Sequence, residues 1–68
     1  MICVFPVIKE AIDEGDITIM DIAGVLQVNE GYVSERLEGA YNFDINEAMR
    51  INVHLFPEIP FKKLFKKI

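Results

Sequence analysis

Sixty-eight residues are expected to form one domain, 1–68, and a hydrophobic content of 51 %, rich in Ile, Val, Leu and Phe, excludes a disordered chain. No apolar run approaches the roughly 20 residues a membrane span needs, and the one cysteine, Cys3, has no partner for an internal disulfide. The net charge of −4 is unevenly spread: residues 1–61 hold all eleven acidic residues against Lys9, Arg36 and Arg50, a net of −8, and Lys62, Lys63, Lys66 and Lys67 return +4 in the last seven.

Caps and apolar spacing predict five short helices. The first begins at Pro6, suited to the first helical position, with Ile8, Ala11 and Ile12 on one face and Gly15 as its stop. The second opens at Thr18, where Thr18-Ile19-Met20-Asp21 reads as a capping box with Asp in place of Glu, and its apolar stripe is Ile19, Ile22, Ala23 and Leu26. Gln27-Val28-Asn29 interrupts it. Asn29 caps a third helix whose first turn holds Glu30, Val28 and Val33 form a hydrophobic staple, and Gly39 ends the helix after Leu37. Asp44, with Glu47 three residues on, caps a fourth helix that runs to Phe56 before Pro57, with Ala48, Ile51 and Leu55 inward. A terminal turn or two from Pro60 sets Phe61, Leu64, Phe65 and Ile68 on one face. Met1 to Phe5 could be extended, but no strand alternation competes elsewhere. The expected core is Ile8, Ile12, Ile22, Ala23, Leu26, Val28, Val33, Leu37, Ile51, Leu55, Leu64 and Phe65. The expected fold is all-α, a compact five-helix bundle.

The second and third helices, joined through a three-residue turn, suit a tight near-perpendicular crossing. Small Ala23 permits the close approach, and Val28 plugs the turn, as in a helix-turn-helix. Ile22-Ala23, Leu26, Val28-Asn29, Val33-Ser34 and Leu37-Glu38-Gly39 follow in order. After them come Phe43-Asp44-Ile45-Asn46-Glu47-Ala48, Ile51, Leu55-Phe56-Pro57-Glu58-Ile59-Pro60 and Leu64-Phe65. With that order and spacing, residues 7–65 resemble the phage repressor/Cro-like helix-turn-helix family of Gram-positive phages and their hosts. The resemblance implies a lambda-repressor-like bundle that controls transcription from operator DNA through its third helix. Gln27 departs from the family, which favours Gly there because the backbone tends to be left-handed; Gln adopts that conformation at a cost of about 1 kcal/mol.

Carried onto this chain, the family's contact positions are Asn29, Glu30, Gly31, Tyr32, Ser34, Glu35 and Glu38, beside Arg36. They include three acids, and Arg36 is the one basic residue between Ala11 and Glu38, against seven acidic ones. Phosphate neutralisation supplies most non-specific DNA affinity and needs several Lys or Arg contacts. One Glu can accept from cytosine; three without a basic escort are hard to reconcile with a DNA backbone. Two readings stay open. In one, the protein is a phage-type regulator of a genetic switch, with Asn29, Tyr32, Ser34 and Arg36 at the bases or backbone and Lys62, Lys63, Lys66 and Lys67 as a secondary basic patch at phosphates. In the other it is an antirepressor whose acidic third-helix face occupies a partner phage repressor's recognition surface. A plain solvated face is the bland account of the same charges.

Other features read as structural. Cys3 is a small apolar filler, and His54 lacks a second ligand at metal spacing. Asp13, Glu14 and Asp16 do not follow a calcium loop. The C-terminal lysines are expected to be solvated around an apolar stripe that caps the core, rather than to lie on a membrane. Nucleophile–base pairs and phosphate loops are missing, so no catalytic residue, cofactor, metal or small-molecule substrate is expected, and the protein is not expected to be an enzyme. MICVFPVIKE reads as no secretion signal, which points to the cytoplasm. A homodimer is possible, although no exposed apolar stripe nominates its interface.

Overall fold

A computed structural model describes residues 2–67 and contains α1 (Pro6–Asp13), α2 (Ile19–Leu26), α3 (Glu30–Leu37), α4 (Ile45–Leu55) and α5 (Phe61–Leu64). Among the described residues there is no strand. The expectations for Met1 and for Ile68 on the last apolar face lie outside them.

Local chemistry sets the boundaries. Pro6 opens α1 after an extended Phe5, and the chain turns at Gly15 with φ +81°. Thr18 and Asp21 form a reciprocal capping box: Thr18 Oγ1 accepts from the Asp21 amide at 3.2 Å, and Asp21 Oδ2 accepts from the Thr18 amide at 2.8 Å. Asn29 Oδ1 caps α3 by accepting from the Tyr32 amide at 2.8 Å. Asp44 and Glu47 repeat the box at α4, with bonds of 2.8 and 3.0 Å. Gln27 is left-handed, with φ 58° and ψ 46°, and its amide still donates to the Ala23 carbonyl. α4 ends at Leu55, with Phe56 as its C-cap, and α5 is a single turn.

α2 packs against both α3 and α4, and α5 lies against α1 and α4. The six largest fully buried side chains, Ile8, Ile22, Val33, Leu37, Ile51 and Leu64, include at least one from every helix. No helix here could bury its apolar stripe alone, so the five form one cooperative core. The radius of gyration is 10.6 Å, close to the roughly 11 Å of a compact chain of this length.

The core differs from the expected set at its margins. Ile12, Val28, Leu55 and Phe65 are half-buried and pack against the core rather than within it. Cys3, Phe5, Ala11, Ile17, Ala48 and Phe56 are buried. Cys3 is the small filler expected, and burial pushes its thiol pKa up. Cys3 and Phe5 come inside because the N-terminal segment docks on the end of α3, with the Val4 amide donating to the Leu37 carbonyl at 2.8 Å. Gly39 permits this approach. It has φ +90°, and a Cβ there would lie 3.1 Å from Val4 Cγ1. Phe5 then stacks edge-on against Phe65, with ring centroids 5.5 Å apart, beside Phe43.

Asn52 closes the α4–α5 connection. Its Nδ2 donates to the Phe56 carbonyl at 2.9 Å and to the Ile59 carbonyl at 2.8 Å, giving partners to two groups at the helix end.

Candidate binding face on the third helix

The cap at Asn29 and the buried pair Val33 and Leu37 fix which way α3 faces. With Val33 and Leu37 inward, Asn29, Glu30, Gly31, Glu35 and Glu38 are exposed, while Tyr32, Ser34 and Arg36 are half-buried. At 100° per residue, Glu30, Glu35 and Glu38 spread over roughly 140° of the helix surface.

Three of the polar candidates are engaged within the fold. Asn29 Oδ1 is used by the cap. Tyr32 donates its hydroxyl to Glu47 Oε2 at 2.5 Å, a bond between α3 and α4. The Glu47 carboxylate beside it holds the Tyr32 phenol pKa above the usual tyrosine range, and desolvation adds in the same direction. Arg36 folds back: its guanidinium carbon lies 3.4 Å from the Tyr32 ring centroid and 5.1 Å from that of Tyr41. Nη1 donates to the Tyr32 carbonyl at 3.4 Å and stands 3.7 Å from Glu35 Oε1. The side chain is 16 % exposed, and its Nε is buried without a hydrogen-bond partner.

Arg36 therefore spends its charge on two aromatic faces, an arrangement worth about 0.5–2 kcal/mol. What α3 offers to solvent is the three glutamates and the bare backbone at Gly31. The face is acidic, with its one cation turned sideways along the protein.

The expected second patch lies apart from α3 in sequence, on and after α5. Lys62, Lys63, Lys66 and Lys67 are all exposed; Lys67 donates to Asn42 Oδ1 at 3.1 Å. Glu47, expected only as the capping partner of Asp44, also ties Tyr32 to α4. The two stand 15 residues apart, and the capping box that marks Glu47 says nothing of its second oxygen.

Among the described residues, no three His, Cys, Asp or Glu side chains are placed to hold a metal ion, and no helix is long and apolar enough to cross a membrane. Neither protein-family models, curated proteins nor solved structures give a match to this chain.

Proposed function

We propose that this chain is a helix-turn-helix domain of the phage repressor/Cro-like type, and that it acts in transcription control by binding a basic protein surface through α3. The partner in this reading is a repressor, held at the face it would otherwise lay on DNA. The observation that carries it is the position of Arg36, stacked on Tyr32 and Tyr41 while Glu30, Glu35 and Glu38 face outward. A DNA backbone brought to that surface meets three carboxylates. A surface built to receive phosphates meets the charge pattern it is suited to. The helix-turn-helix assignment draws its support from the left-handed Gln27, the Asn29 cap and the buried Ala23.

A second reading, direct operator binding, draws on the exposed lysines of the C-terminal segment. Four lysines at phosphates would give a salt dependence of log K with slope near −4 at most, from about −0.9 per contact.

One titration separates the two. The protein is titrated at low and moderate salt with promoter-region DNA and, separately, with the DNA-binding domain of the neighbouring repressor. Repressor binding without DNA binding is expected. Glu30→Lys, Glu35→Lys and Glu38→Lys together should then weaken the complex at least a hundredfold. Specific DNA binding by the unmodified chain would overturn the proposal, as would a repressor complex that the three reversals leave unchanged.

A further inference from the structure

α4 carries an exposed apolar stripe, against the expectation of none: Ile45, Met49 and Val53 recur at every fourth residue and are 62 %, 51 % and 63 % exposed. At Ile45 the stripe meets a hollow of about 420 Å³ between the N-terminal segment, the α3–α4 loop, α4 and α5. Its walls hold four of the chain's five phenylalanines, Phe5, Phe43, Phe61 and Phe65. Each ring packs against another of the four, with centroids 5.1 to 6.2 Å apart, so the walls are built before anything enters. A smaller hollow of about 290 Å³ shares Ile45 and Phe61 and continues the apolar surface to Met49 and Val53.

Among the described residues, Lys67 is the one ionisable side chain lining the larger hollow, and none lines the smaller. Lys67 is exposed, and its Nζ lies 3.1 Å from Asn42 Oδ1 and 5.9 Å from the Phe5 ring centroid. Asn42 lines the same hollow. The bond between them leaves the ammonium two further donors and leaves Asn42 its amide NH₂. Asp44 and Glu47, next in sequence to the lining, belong to neither hollow. Their carboxylates accept from the amides at the start of α4 and from the Tyr32 hydroxyl. Arg50, Lys62 and Lys63, exposed on the same two helices, add to the positive charge there.

We infer that the larger hollow binds an aliphatic carboxylate, a fatty-acid-like anion that sets its carboxylate on Lys67 and Asn42 and its chain on the phenylalanine rings. The volume lies within the roughly 300–1,000 Å³ of small-molecule sites, which combine apolar walls with a few placed polar groups in this way. Apolar walls select a chain. The single cation at their edge selects an anion over an ammonium of the same length, through charge-assisted hydrogen bonds. Nothing in the linear spacing announces the site, because its lining draws on residues from 5 to 67. The inference does not depend on what α3 binds.

NMR of the full chain, read at the phenylalanine rings, follows titrations with hexanoate, octanoate and decanoate. The salt is held at about 0.15 M, which screens charges beyond about 8 Å. Saturable shifts at Phe43, Phe61 and Phe65 are expected, with a Kd of about 1 mM for octanoate. Each two added methylenes should tighten binding about tenfold. Octylammonium, with the same chain and the opposite charge, should bind at least about tenfold more weakly than octanoate. Lys67→Glu should reverse that preference without unfolding the chain, because the side chain is exposed. Lys63→Glu makes the same change of charge in the lining of a separate hollow beside α1 and should leave octanoate binding unchanged. Equal affinity for the two head groups overturns the inference, as does indifference to Lys67→Glu or an equal loss with Lys63→Glu. Shifts that never saturate, the mark of detergent-like adsorption, overturn it too. So do ring shifts that move on diluting the protein alone, which would make a second copy the occupant.

Discussion

Glu47 uses both oxygens of one carboxylate. Oε1 accepts from the Asp44 amide at the start of α4, and Oε2 accepts the Tyr32 hydroxyl from α3. Ionising Tyr32 would set a phenolate against that carboxylate, which is why the phenol pKa is raised. The direction fixes the pH window. A raised folded pKa means that the bond's contribution is fully present below the unfolded tyrosine value of about 10. It is lost as pH climbs through the higher folded value. The chain has two tyrosines and no tryptophan, so Tyr41→Phe leaves tyrosinate absorbance to report Tyr32 alone. Its midpoint should lie above that of the unfolded chain, and Glu47→Gln, which keeps an acceptor but removes the charge, should bring it down. An unmoved midpoint would mean that the α3–α4 bond does not form in solution. Arg36 teaches a related point at the same scale. Its presence among seven acids is readable in the sequence, but its direction is set by Tyr32 one turn earlier and by Tyr41 in the following loop.

Helix boundaries were legible because the groups that fix them lie within three residues of one another: Thr18 with Asp21, Asn29 with Tyr32, Asp44 with Glu47. The left-handed backbone at Gln27 was legible only through the family resemblance, and no local signal announces it. Contacts between elements left no such trace. The docking of Val4 on Leu37 brings Cys3 and Phe5 inside, and no periodicity extends to so short a non-helical segment before α1. α4 misleads in another way, because Ala48 and Ile51 are buried on one face while Ile45, Met49 and Val53 are exposed on another. A helix apolar on two sides does not say which side its own chain covers. Asn52 is a third case, a polar residue in α4 whose purpose is to hold the chain after it. Asn52→Ala leaves the Phe56 and Ile59 carbonyls without this donor, at about 1 kcal/mol per bond and so about 2 kcal/mol in all. Thermal unfolding followed by circular dichroism should show a Tm roughly 8 to 16 °C lower. A loss of a degree or two would mean that water replaces the amide fully and that the α4–α5 connection is held by packing alone.

Across the whole molecule the dominant electrostatic fact is like charge at close quarters. Eleven acidic side chains share a body only 26 × 22 × 22 Å in extent, and two ion pairs, Lys9–Asp13 and Arg36–Glu35, form among the described residues. Solvent-exposed pairs of this kind are screened and contribute little to stability. Net repulsion therefore outweighs pairing, and screening should stabilise the fold. The Debye length falls from about 30 Å at 0.01 M salt, longer than the molecule, to about 8 Å at 0.15 M, shorter than its radius. Over that interval stability should rise by about 1 kcal/mol, or roughly 4 to 8 °C in Tm. The lysines at the C-terminal end offset half of the body's charge of −8. Replacing Lys62, Lys63, Lys66 and Lys67 together by Gln doubles the net charge to −8, so repulsion that grows with its square should lower the Tm at low salt and raise the gain on adding salt by up to about fourfold. Both chains are measured at the same concentration of a few micromolar, so that association does not bias the comparison. A Tm that falls as salt is added would reverse the conclusion, because it would mean that attraction between the basic end and the acidic body outweighs repulsion within that body.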